Sequence, residues 1–223
     1  MLRACLYVVG LYGAYAALRL RRLASEPRRR GRAAATFTPP PPATLVLTTI
    51  VTLMAVAQWR FPAMLTALRR DYSRFVAGEW WRVLTALFVQ DGGPSGAVFN
   101  IVSLLFIGSA GERHWGARRW LAIFFLGGLA SEVVAFGWRP MGAGNSVANF
   151  SLAGSVVVTS LARVRGAARV AALSAAAAYL WLLTLHDIHG AAAFVGVMLG
   201  VCLRRETIIP VRSVDVPSSD ARR

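Results

Sequence analysis

Apolar runs at residues 43–59, 95–111, 120–138, 145–161, 169–185 and 188–203 alternate with short arginine-bearing segments, and this alternation fixes the kind of fold available. A lipid interior offers no water to satisfy backbone N–H and C=O groups, so runs of this kind must close their hydrogen bonds internally, as helices. Several are shorter than the roughly 20 residues of a perpendicular crossing, which predicts tilted or thin packing. With 56% hydrophobic and 16% charged residues, the chain reads as an all-α polytopic membrane protein embedded in the lipid bilayer. Its net charge of +15 comes from arginines clustered at the ends of the runs, which argues against nucleic acid as a partner.

Residues 4–18 form a further apolar stretch followed at once by Arg19, Arg21 and Arg22. A signal peptide carries its charge in front, so residues 1–22 read as an uncleaved extra N-terminal transmembrane segment, with cleavage or an interfacial helix as alternatives. Residues 23–42 read as a basic, proline-rich cytoplasmic linker, 43–205 as the membrane core and 206–223 as a cytoplasmic tail. This orientation puts 18 arginines inside and 7 outside, as the bias of cytoplasmic loops toward basic residues requires. The connection from Arg60 to Pro94 is outside yet carries five arginines, so it is expected to lie in the headgroups as an interfacial hairpin, with Trp80, Trp81 and Arg82 at the boundary. Cys5 and Cys202 fall in opposite leaflets and cannot be bridged. No Cys/His cluster has metal-ligand spacing and no glycine-rich phosphate loop follows a strand, so neither a metal nor a cofactor is expected.

Within this apolar background a few polar residues stand out. Residues 142–154 place Ser146 in the first turn of a run entered from a Gly-Ala-Gly loop, where a hydroxyl either caps the helix or does chemistry. His189 opens another run 43 positions later, after one return through the membrane, so both arrive at the same face. From His189, helical spacing leads through Ala192, Ala193, Gly196 and Gly200, a stripe that lets two membrane helices touch. A Ser/His pair is the minimum apparatus of nucleophilic acyl transfer. Asn149 shares the face of Ser146 and either holds a water or braces a neighbouring helix. Glu132, costly in lipid, serves either a functional pathway or a structural hydrogen bond. His114 and His186 read as boundary residues, and Asp187 as a solvated loop acid.

Taken in order, Gly78-Glu79-Trp80-Trp81-Arg82, Phe99-Asn100, Gly108, Glu112 and Gly116, Gly144-Asn145-Ser146, and His189 with Gly196 and Gly200 resemble the pattern of the rhomboid intramembrane serine proteases over about residues 43–203. The resemblance implies a six-helix bundle with a short central fourth helix, here with the extra N-terminal helix. It implies Ser146 as nucleophile, His189 as general base and Asn100 as oxyanion donor, with Asn149, Gly144 and Gly196 in support. The implied partners are membrane-protein substrates, and the implied location is the plasma membrane with the site on the extracytoplasmic side. Two departures qualify this. Val147 stands where rhomboids usually have glycine, and is expected to narrow access. Gly96 stands where they usually carry an oxyanion-binding histidine, four residues before Asn100. An inactive rhomboid-like protein that binds membrane clients is the alternative to a protease, and a small transporter using Glu132 a more distant one.

Overall fold

The computed structural model describes residues 1–25, 39–161 and 163–204. The basic run Arg28–Arg32 of the expected linker and the expected tail at 206–223 lie outside the described residues. Helix α1 (Leu2–Ser25) is followed by α2 (Pro42–Arg60), the short α3 (Ala63–Leu68), strand β1 (Arg70–Asp71), α4 (Tyr72–Val76) and α5 (Arg82–Thr85). Helix α6 (Gly93–Ser103) passes through a π-helical turn (Leu104–Gly108) into α7 (Ser109–Trp115). Then come α8 (Ala117–Ala135), strand β2 (Met141–Gly142), α9 (Ser146–Leu161), α10 (Gly166–Thr184) and α11 (Ile188–Cys202). Among the described residues, Pro42–Arg60, Gly93–Trp115 and Gly166–Thr184 are long and apolar enough to cross a membrane, and α9 and α11 are shorter apolar helices. The fold is an all-α polytopic membrane bundle whose outer faces are apolar: Leu45, Val46, Leu53, Val56, Phe194, Met198 and Val201 are all exposed.

Helix α9 is the axis of the bundle. Its 16 residues span about 24 Å, less than the roughly 30 Å of a hydrocarbon core. It tolerates this because it is buried along nearly its whole length and meets helices rather than lipid. The small-residue stripe of α11 lies against it. A Cβ on Gly196 would overlap the Ser151 carbonyl, one on Gly200 would sit 2.9 Å from the Ser155 Cα, and Gly154 of α9 abuts the Ala193 backbone in return. The Ser151 hydroxyl donates to the Ala192 carbonyl at 2.9 Å across the same seam. Backbones this close gain dispersion contacts that bulkier side chains would hold apart.

Helix α1 is longer than the 4–18 stretch and packs along α10. Tyr179 donates to the Gly10 carbonyl at 2.7 Å, and the face of Gly13 meets Ala171 and Ala175. Glu112, in the first turn of α7, accepts from the Ala43 and Thr44 backbone N–H groups and from the Thr44 hydroxyl, so it caps the N-terminus of α2 in place of a capping side chain there.

The connection between α2 and α6 is more deeply anchored than a hairpin lying only in the headgroups. Arg70 is buried and pairs with Glu132 of α8, while its second nitrogen donates to the Arg139 carbonyl at 2.9 Å. Glu132 is therefore committed to holding this connection, which removes it as a free pathway residue. Arg82 is buried as well, bonded to Glu79 at 2.5 Å and to the Thr66 carbonyl at 3.0 Å, whereas Trp80 and Trp81 remain exposed.

Candidate active site

The loop entering α9 is held from three directions. Strand β2 pairs antiparallel with β1, the Ala143 N–H donates to Asp91 at 3.0 Å, and the Gly144 N–H donates to the Ala86 carbonyl at 2.8 Å. Gly144 has φ +135, a conformation that side chains rarely adopt. A Cβ there would lie 3.2 Å from Asn100 Nδ2 and 3.6 Å from Ser146 Oγ, so the absent side chain leaves a space bordered by both groups.

His189 Nε2 lies 2.9 Å from Ser146 Oγ. Ser146 is partly exposed while His189 is buried, its ring flanked by Tyr7 at 4.4 Å and Phe150 at 4.9 Å between centroids. Asp187 corrects the sequence reading. It is 1% exposed rather than a solvated loop acid, and it is the N-cap of α11, accepting from the His189 backbone N–H at 3.1 Å. Its Oδ1 also lies 2.7 Å from His189 Nδ1, and its Oδ2 accepts from the Tyr7 hydroxyl at 2.7 Å. Arg3 stands 3.7 Å away with a half-exposed side chain. Burial pushes the Asp187 carboxyl up, but hydrogen bonding and charge attraction from His189 and the hydrogen bond from Tyr7 outweigh it and hold the group well below its ordinary value. Asp187 Oδ1, already accepting from the His189 backbone N–H, is matched by a proton on Nδ1, an arrangement that would leave Nε2 free to accept from the serine hydroxyl.

On the other side of Ser146 lies a neutral network. Asn100 Nδ2 donates to Gln90 Oε1 at 2.7 Å, Gln90 Nε2 donates to Asn145 Oδ1 at 2.9 Å, and Asn145 returns a bond to the Asn100 carbonyl at 3.3 Å. Gln58 of α2 clamps the Gln90 backbone, donating to its carbonyl at 2.6 Å and accepting from its N–H at 2.8 Å. Asn149 donates to the Asn100 carbonyl at 3.0 Å, the bracing alternative, and its own side-chain oxygen is buried without a hydrogen-bond partner.

Of the residues singled out from sequence, Ser146, His189, Asn100, Asn149 and Gly144 meet at this mouth, and Gly196 lies deeper, in the α9–α11 seam. Val147 is 1% exposed and part of the core, so its side chain fills packing space beside the helix mouth. Around Gly96 nothing stands within 4 Å of an added Cβ. Sequence reasoning missed Gln90, Asp187 as a histidine partner, and Tyr7. An aspartate at the helix start two residues before the histidine is a cap signature that could have exposed Asp187; no local signal links Gln90 or Tyr7 to the site. Among the described residues no group of three His, Cys, Asp or Glu side chains could hold a metal.

A family model described as Rhomboid domain matches residues 77–206, more than half of the chain. Over 93 residues, 41% of its length, the chain is 32% identical to the rhomboid protease GluP of Bacillus subtilis (strain 168). Over 104 residues, 43% of its length, it is 33% identical to YdcA of the same bacterium, whose rhomboid-protease name is itself provisional. These stretches span 18% and 51% of the two relatives' own lengths.

Proposed function

Because the chain belongs to the rhomboid family, we propose that it is an intramembrane serine protease that cleaves transmembrane or juxtamembrane segments of other membrane proteins. The observation that carries the reading is the 2.9 Å approach of His189 Nε2 to Ser146 Oγ. Ser146 Oγ attacks the scissile carbonyl as its proton passes to Nε2. The developing oxyanion is met by Asn100 Nδ2 and the Ser146 backbone N–H, in the space that Gly144 leaves open. Collapse expels the amine, which takes the proton back from His189, and a water activated by the same nitrogen then frees the acyl group.

The site would face the extracytoplasmic side of the plasma membrane, with residues 43–205 as the protease core and 1–22 as the extra segment. A reporter fused after Arg205 should read cytoplasmic, and one placed between Arg139 and Gly142 extracytoplasmic.

Proteolysis of a model transmembrane substrate in vesicles tests the activity. Cleavage should require both Ser146 and His189. No cleavage by a folded, inserted protein would favour the client-binding alternative, for which Gly96, offering no oxyanion donor, is the specific observation.

A further inference from the structure

Helix α1 lies outside the residues matched by the family model, yet its Tyr7 reaches the histidine and the aspartate beside it. Tyr7 touches the site twice: its ring lies 4.4 Å from the imidazole centroid to centroid, and its hydroxyl takes the Asp187 oxygen that does not face His189. With Oδ2 engaged by Tyr7 and Oδ1 accepting from both the His189 ring and backbone, the carboxylate has one orientation open to it. We propose that Asp187 and Tyr7 form a positioning pair that fixes the tautomer and ring plane of His189, making α1 a working part of the catalytic face. This rests on the Ser146/His189 reading of the site. When Nε2 takes the serine proton, the Nδ1–H stays directed at Asp187, whose negative charge offsets the imidazolium; the carboxylate itself remains ionised. Tyr7 neither gains nor loses a proton in the cycle. The anchoring of α1 by the Tyr179 bond to Gly10 and the close approach of Gly13 to α10 keeps the phenol at this depth.

The test uses the full chain reconstituted in vesicles, with kcat and KM measured on a model transmembrane substrate for Asp187→Asn, Asp187→Ser and Tyr7→Phe. Asp187→Ser retains a side-chain oxygen able to cap α11, so it separates capping from positioning. The pair predicts that kcat falls roughly 100- to 10,000-fold in both Asp187 variants while KM holds. In Tyr7→Phe, which keeps the ring, kcat should fall about 10-fold. The histidine tautomer is read independently, without substrate, from 15N spectra of imidazole-labelled protein. His189 should carry its proton on Nδ1 in the native chain and lose that preference in Asp187→Ser, which has no carboxylate to hold it. Wild-type kcat in Asp187→Ser, or a native His189 protonated on Nε2 alone, would overturn the pair. A native chain with the stated tautomer but no Ser146-dependent cleavage would instead remove the protease reading and leave the pair standing.

Discussion

The two flanks of Ser146 are built on different principles. On the side of the proposed oxyanion site, Asn100, Gln90 and Asn145 form a neutral chain of amides donated by α6, the turn before it and the residue preceding α9, with Gln58 of α2 clamping the middle member. On the base side, a buried carboxylate and a phenol hold the histidine, and the phenol comes from α1, far along the chain. A neutral amide network gives direction at low desolvation cost, as suits donors that must be aimed before any charge develops. A carboxylate costs more to bury, but under the proposed mechanism it would answer the positive charge that the histidine acquires during turnover. Under the proposed mechanism, one flank would be preorganised for a transient anion and the other for a transient cation.

The largest expected effect comes from separating the flanks. Gly196→Leu would drive α11 from α9 at the Ser151 carbonyl and carry His189 out of hydrogen-bond reach, leaving the amide side in place. Cleavage should fall below detection in a protein that still inserts, as scored by protease protection of the vesicles; wild-type turnover would show that the seam does not aim the histidine. Next comes Asn100→Ala, which removes an oxyanion donor and should lower kcat about 100- to 1,000-fold. Gln90→Leu leaves that donor but frees its direction, with an expected loss of roughly 10- to 100-fold in kcat. If the two variants were equal, Gln90 would matter as much as the donor it holds; if Gln90→Leu were silent, the amide chain would not be needed to aim Asn100.

The spans were legible because lipid allows so few backbone solutions: apolar runs and arginine clusters locate the helices directly. That Ser146 and His189 meet was legible too, since both open apolar runs on one face and the glycine stripe sets the approach. The rest depended on tertiary contacts that leave no periodic trace. Tyr7 is one of several tyrosines in its helix, and only the packing of Gly10 and Gly13 against α10 selects it for Asp187. For Glu132, sequence leaves open both function and bracing, and only the burial of Arg70 against it decides for bracing.

The smallest effect separates shape from chemistry at Val147. The Val147 side chain fills the core, so Val147→Gly should give no gain in turnover; a gain would show that valine narrows access to the hydroxyl. The substitution should instead lower stability by about 2 kcal/mol, from the cavity and the helical glycine, measurable as a drop in thermal midpoint. Gly96→His, where space is free, should raise turnover by adding a donor to the amide side alone.

The most direct measurement is covalent labelling by a serine-directed fluorophosphonate, which needs an activated hydroxyl but no knowledge of the substrate. Ser146 is partly exposed and in contact with His189 Nε2, so the native protein should label at Ser146, and both Ser146→Ala and His189→Ala should abolish the reaction. Labelling that persisted in His189→Ala at the native rate, or none at all in a folded and inserted native protein, would contradict the claim that these two residues form a nucleophile and its base.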